Sequence, residues 1–143
     1  MEPRPSVVIA EDEALIRETI RLMLGREFEV LAALGDGRAA VAAAKKHRPD
    51  IVLLDISMPG INGFQAAQQI AECCPDVKVL MMTCHGEPDY IDEAFRRGAR
   101  GWVEKSRAVT QLPHAIHAVL AGEQYRPGDE LEKKFYCASA NSK

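Results

Sequence analysis

Short apolar runs alternate with amphipathic helical patterns along most of the chain, and this alternation restricts the fold more than any other feature. The clearest run, Ile51-Val52-Leu53-Leu54, is typical of a strand buried on both faces. Four further runs predict strands over 7–10, 28–34, 77–83 and 101–104. Because a helical pattern follows each strand, we expect the strands to be parallel with helices on both faces of the sheet.

The helices are predicted from apolar spacing and from residues that begin or end helices. The first helix carries its apolar residues on one face, namely Ile16, Ile20, Met23 and Leu24. Asp36 is expected to cap the second helix, and the third and fourth helices are predicted over 63–74 and 88–97. Thr110 is expected to cap the last helix, which would place Pro113 in its first turn, where proline is tolerated.

Right-handed crossovers and five βα units predict a flavodoxin-like, doubly wound (βα)5 three-layer sandwich with the parallel strand order 2-1-3-4-5. Strands 1 and 3 are neighbours in that order. The residues that follow them, Glu11-Asp12 and Asp55, should therefore meet in one crevice at the carboxyl edge of the sheet. The Pro-Gly and Asn-Gly pairs after Asp55 predict a loop that presents this acid on the surface of the crevice.

Composition limits the class of protein. The chain has 143 residues, which suits one domain. Its net charge is −3, and the sequence has no stripe of basic residues of the kind that binds DNA. No apolar run approaches the ~20 residues that cross a membrane, and the first residues do not resemble a signal peptide. The four cysteines form no CxxC pair, so we expect reduced thiols and a cytoplasmic protein.

Three carboxylates in one crevice would repel one another unless one is protonated or a cation joins them. Their hard oxygen ligands favour Mg²⁺ over zinc. Thr83 ends the fourth strand and supplies a hydroxyl, and Lys105 follows the fifth strand and supplies a positive charge. Together these groups predict a cradle for a phosphoryl group, with Mg²⁺ as the only expected cofactor.

The chain resembles the receiver domains of two-component response regulators over roughly residues 5–122. Four fragments carry the resemblance in the family's order and spacing, namely Ile9-Ala10-Glu11-Asp12-Glu13, Leu53-Leu54-Asp55-Ile56-Ser57-Met58-Pro59-Gly60, Met82-Thr83-Cys84 and Gly101-Trp102-Val103-Glu104-Lys105. The resemblance implies that Asp55 accepts phosphate from a histidine kinase or phosphotransfer protein. It also implies that Asp12, Asp55 and the backbone carbonyl of Ser57 bind Mg²⁺ directly, with Glu11 acting through water.

The resemblance also assigns the switch residues. Lys105 would pair with the phosphoryl oxygens, Thr83 would rotate to bond the phosphate, and Trp102 stands where the family keeps a rotating aromatic residue. The sequence departs from the common pattern in its Glu-Asp acidic pair, in the bulk of Trp102 and in Ser106, which replaces a usual proline. Thr83 could otherwise be an ordinary strand residue, and Trp102 could be simple core packing.

The stretch 115–125 resembles the last receiver helix of NarL/FixJ-type regulators, in which a linker leads to a LuxR-type DNA-binding domain. We therefore expect a receiver domain over 1–122 and a linker-like tail over 123–143, with no output domain in these residues and no direct contact with DNA. Phosphorylation is expected to switch association, including formation of a homodimer. The alternative is a stand-alone single-domain regulator or a phosphate sink.

Two other functions fit less well. A phosphatase of the haloacid-dehalogenase type needs a second acid two residues after the nucleophile, where this chain has Ser57. A flavodoxin-like cofactor binder needs a glycine- or hydroxyl-rich loop after the first strand, where acids would repel a phosphate. The expected protein is thus not an enzyme with its own substrate, but a stoichiometric phosphoryl acceptor that could lose its phosphate by intrinsic autodephosphorylation.

Overall fold

A computed structural model describes residues 4–84 and 87–126. Five strands form one parallel sheet in the order β2-β1-β3-β4-β5, as the sequence predicts. In chain order the elements are β1 Ser6–Ala10, α1 Ala14–Leu24, β2 Glu29–Leu34, α2 Gly37–His47, β3 Ile51–Leu54, α3 Gly63–Cys73, β4 Lys78–Thr83, α4 Pro88–Arg96, β5 Gly101–Glu104, a 3-10 turn Lys105–Arg107 and α5 Ala108–Leu120. The part of the predicted tail beyond Arg126 lies outside the described residues.

Two apolar cores lie on opposite faces of the sheet and make the predicted three layers. One core packs α2, α3 and α4 against alternate strand residues such as Val52 and Leu54. The other packs α1 and α5 against the intervening residues, including Ile51 and Leu53. All four residues of β3 are fully buried, because helices cover both faces of this central strand.

Side chains that bond backbone groups fix the starts of α2 and α3. Asp36 accepts a hydrogen bond from the amide of Ala39 at 2.8 Å, which confirms the predicted cap. Asn62 and Gln65 bond each other's backbone amides reciprocally at the start of α3. The loop that follows Asp55 therefore ends at a firmly anchored helix.

The predicted start of the last helix is wrong. The 3-10 turn after β5 runs directly into α5, whose cap is Arg107, so Thr110 lies inside the first turn and its hydroxyl donates to the Arg107 carbonyl at 3.1 Å. Pro113 is consequently in the helix interior, where it lacks the N–H that would donate to the Val109 carbonyl. Val109 is 67% exposed, so water can take the place of that bond.

Glycines at the starts of α2 and α3 allow both helices to pack closely against the backbone of the loop after β3. A Cβ added to Gly63 would lie 2.3 Å from the backbone oxygen of Asp55, and one added to Gly37 would lie 2.4 Å from that of Ile61. The Gly63 amide donates to the Ile56 carbonyl at 2.9 Å. The segment that presents Asp55 is thereby held in contact with α3.

A short segment after α5 returns to the edge of the sheet. The Tyr125 amide donates to the Arg100 carbonyl at 3.0 Å, and the Trp102 amide donates to the Tyr125 carbonyl at 2.8 Å, in a parallel bridge. The Arg126 guanidinium lies 4.0 Å from the centroid of the Phe95 ring. Residues as far as Arg126 thus pack on the domain, whereas the predicted boundary at residue 122 stays a prediction.

Candidate functional site

Three acidic side chains converge at the carboxyl edge of the sheet. Ala10 pairs with Leu54, so the residues that follow these strands are neighbours, and the Asp55 amide continues the ladder by donating to the Ala10 carbonyl at 3.1 Å. Carboxylate oxygens of Glu11, Asp12 and Asp55 all lie within 4.8 Å of one another. The crevice predicted from the strand order is therefore formed, with Asp12 exposed and the other two acids buried.

Lys105 reaches from the end of β5 to two of these acids. Its Nζ lies 2.6 Å from Glu11 Oε1 and 2.8 Å from Asp55 Oδ2. Burial alone would lower the pKa of Lys105, but its hydrogen bonds to Asp55 and Glu11 and their charges raise that pKa well above its ordinary value. Lys105 is therefore a fixed cation that balances part of the negative charge.

The carboxylate of Glu11 is fully buried. Burial raises its pKa, and the nearby charge of Asp55 adds to this, while Lys105 and the Glu13 amide, which donates to Oε2 at 2.9 Å, act in the opposite direction. Among the described residues, the contact of Oε1 is its ion pair with the Lys105 ammonium group. Because a carboxylate oxygen has two lone pairs, Oε1 can still accept a second contact beside Lys105.

The three acidic side chains fit a Mg²⁺ ion by their chemistry and spacing. The three side chains offer only hard oxygen atoms, at separations that one small cation can bridge. Ser57 lies beside the cluster, since its amide donates to Asp55 Oδ1 at 3.3 Å. The direct contacts expected of Asp12, Asp55 and the Ser57 carbonyl, and the water-mediated contact expected of Glu11, are compatible with this arrangement and stay predictions.

Thr83 lies at the crevice edge of β4, whereas Trp102 lies further back, in the middle of β5. Thr83 is the last residue of β4, is fully buried and pairs in register with Glu104. The indole of Trp102 is also fully buried, in the core beneath α3 and α4, and its Nε1 has no hydrogen-bond partner among the described residues. This burial agrees with the core-packing alternative for Trp102, because its position in β5 points the indole into that core.

Arg17 belongs to the site, although sequence reasoning did not identify it. Its Nη1 donates to the backbone carbonyl of Glu11 at 2.7 Å, and the guanidinium lies against Gly35, where an added Cβ would be 3.1 Å from Nη1. The only sequence signal is a basic residue five positions after Asp12, in a pattern that reads as an ordinary solvated helix face.

Comparison with known proteins gives a consistent result. The family model described as the response regulator receiver domain matches residues 7–117. The chain is 36% identical over 126 residues to the transcriptional regulatory protein DegU of Brevibacillus brevis, covering 87% of this chain and 53% of that protein. It is 34% identical over 122 residues to the oxygen regulatory protein NreC of Staphylococcus haemolyticus, covering 83% of this chain and 56% of that protein. The chain thus spans about half the length of these relatives.

A solved structure agrees with the sequence comparisons. A two-component response regulator of the LuxR family from Aurantimonas sp. SI85-9A1 superposes with a TM-score of 0.81 at 30% identity, covering 85% of this chain and 89% of that one. Within the described residues, none of the helices has the length and apolar character needed to cross a membrane.

Proposed function

Because the chain belongs to the response regulator receiver family, we propose that it is a signalling switch that accepts a phosphoryl group on Asp55 from a histidine kinase or phosphotransfer protein. The observation that carries this proposal is the position of Lys105, whose ammonium group joins Glu11 and Asp55 at the edge of the sheet. A lysine in this place can pair with the oxygens of a phosphoryl group once that group is attached to the neighbouring acid.

The chemistry needs no general base. The ionised carboxylate of Asp55 already has the electron pair that forms the new oxygen–phosphorus bond. The bond from phosphorus to the donor's imidazole nitrogen breaks, and that nitrogen keeps the pair and takes a proton from water. This chain then holds an acyl phosphate and has changed its own state, so it acts as a stoichiometric acceptor rather than as an enzyme with a separate substrate.

Asp12, Asp55 and the backbone carbonyl of Ser57 would hold Mg²⁺, and Glu11 would act through a water molecule. When bound, the ion would offset the negative charge that an approaching phosphoryl donor adds to the acidic cluster. The hard oxygen set of the three neighbouring carboxylates supports this assignment. Thr83 and Trp102, on the β4–β5 side, would respond to the new charge at Asp55.

Phosphorylation with a small-molecule donor tests the proposal. Incubation with Mg²⁺ and acetyl phosphate should add the mass of one phosphoryl group to the intact protein, and Asp55→Asn should abolish this addition. Asp50→Asn is a matched control, because Asp50 precedes the same strand at the opposite edge of the sheet, where it accepts a hydrogen bond from the Ser6 amide at 2.8 Å. A phosphoryl adduct that persists on Asp55→Asn would contradict the assignment.

We further propose that the receiver regulates a LuxR-type transcriptional output in the cytoplasm. The name of the transcriptional regulatory protein DegU, the LuxR family of the similar solved structure and the greater length of the two relatives support this. In this proposal DNA is bound only by a further domain. A stand-alone regulator or phosphate sink is the alternative. The reading frame beyond residue 143 distinguishes them, since the proposal requires a helix-turn-helix domain there.

A further inference from the structure

The segment that carries Glu11 and Asp12 is held by contacts from three directions. The Glu11 amide donates to the Leu34 carbonyl at 2.9 Å, which fixes the segment to β2. Its side chain is held by Glu13 and Lys105. Its carbonyl accepts a hydrogen bond from Arg17 Nη1 at 2.7 Å, and this is the contact that ties the peptide joining Glu11 to Asp12 to helix α1.

The positive charge of Arg17 lies at a position that does not stabilise its own helix. Arg17 lies near the amino end of α1, where the helix dipole favours anions over cations and where the cap residue, Glu13, is itself acidic. Its guanidinium bonds a main-chain carbonyl, and Gly35 leaves the space that it occupies. A residue that is unfavourable for its own helix often serves a functional site instead.

We propose that Arg17 is a positioning residue for Mg²⁺, which holds the Glu11 carbonyl so that the Glu11 and Asp12 carboxylates face the ion, with Gly35 providing the space for its guanidinium. This inference rests on the proposed Mg²⁺ site. Outer contacts that orient metal ligands typically change affinity by about 10–100-fold when they are removed. Arg17 acts through the backbone and does not touch the ion or the phosphoryl group.

Arg17 could either position the Mg²⁺ ligands or repel the ion by its charge, and these two roles predict opposite changes in Mg²⁺ affinity. If Arg17 positions the ligands, Arg17→Gln should weaken Mg²⁺ binding by roughly 10-fold or more, with Arg17→Lys intermediate because an ammonium group can still donate to the carbonyl. If Arg17 mainly repels Mg²⁺ through its charge, Arg17→Gln should bind the ion more tightly than the wild type, and Arg17→Lys should match the wild type.

Calorimetric titration of the whole chain with MgCl2 measures the affinity without any phosphoryl donor. Arg21→Gln is the matched control on the same helix, because Arg21 is exposed and pairs with Glu18. Gly35→Ala should also weaken Mg²⁺ binding, because the added Cβ would lie 3.1 Å from Arg17 Nη1 and displace the guanidinium. In the Arg17→Gln background Gly35→Ala should have little further effect, because both changes remove the same contact.

These measurements distinguish failure of the proposed Mg²⁺ site from failure of the proposed role of Arg17. A wild-type protein that binds no Mg²⁺ overturns the proposed site itself. A wild type that binds Mg²⁺, together with Arg17→Gln, Arg17→Lys and Gly35→Ala variants of unchanged or tighter affinity, overturns the role of Arg17 alone. Melting in the presence of a chelator identifies variants that fail to fold. If Arg17→Gln is one of them, Gly35→Ala and Arg17→Lys decide the question. Phosphorylation at saturating Mg²⁺ should recover the wild-type rate in each folded variant.

Discussion

Burial of the Glu11 carboxylate has a cost in stability that the proposed Mg²⁺ site would explain. This carboxylate is fully buried, and burial raises its pKa above the ordinary value of 4.5. The folded state therefore binds a proton more readily than the unfolded state does. The ionised form consequently costs stability above the folded-state pKa, and that cost fades as the pH falls towards 4.5.

We expect Glu11→Gln to stabilise the metal-free protein by about 0.5–2 kcal/mol at neutral pH and to weaken Mg²⁺ binding. The amide keeps the shape of the side chain and can still accept from Glu13, while Lys105 keeps Asp55 as a partner. Thermal melting with a chelator and with MgCl2 measures both effects. Glu13→Gln, an exposed neighbour, is the control, and a metal-free Glu11→Gln that melts below the wild type contradicts the prediction.

At the same scale, the sequence predicted the acids and the lysine but not Arg17. Asp12, Asp55 and Lys105 each follow a strand, so strand order alone brings them to one edge. The Arg17 contact joins the start of α1 to the loops after β1 and β2. It depends on side-chain reach and on the space left by Gly35, which periodicity does not encode.

Among the elements, strand order was predictable and some helix boundaries were not. Parallel βα units permit few topologies, so five apolar runs were sufficient to predict the sheet. The start of α5 was misplaced because Thr110 is a good capping residue by type, whereas the 3-10 turn at Lys105–Arg107 starts the helix earlier. The Asn62–Gln65 capping box, in contrast, was a readable signal that was not used.

The close contact between α3 and the loop after β3 gives a prediction at the scale of elements. Gly63→Ala should destabilise the protein by about 1–3 kcal/mol, because its Cβ would meet backbone atoms of Asp55 and Ile56 that cannot move independently. Gly25→Ala is the control, since Gly25 has a helical φ of −61° and its Cβ would come no closer than 3.2 Å to another residue. Denaturant unfolding measures both, and equal effects would show that α3 can move away from the loop.

For the whole molecule, we expect occupation of Asp55 to change self-association through α4, β5 and α5. Tyr90 is 43% exposed on α4 and Ile91 is half-buried, so these side chains can contact a partner, whereas the buried Trp102 can only report a change in the core. A coupling of about 1–3 kcal/mol would alter a dimerisation constant by roughly 5- to 150-fold.

Sedimentation with and without beryllofluoride tests this expectation, and fluorescence of Trp102, the single tryptophan, follows the local change. Asp55→Asn is the control that should not respond. An unchanged mass distribution and an unchanged emission spectrum, with Asp55 demonstrably occupied, would leave the phosphate sink as the better description of this chain.

The bridge between Tyr125 and β5 also sets the direction of the backbone at Tyr125. Because the bridge is parallel, the backbone at Tyr125 runs the same way as β5, towards the sheet edge that carries Asp55. Two backbone hydrogen bonds couple Tyr125 to Arg100 and Trp102. A displacement of β5 along its own axis would therefore carry Tyr125 and Arg126 with it, as a translation rather than as the loosening of a loop.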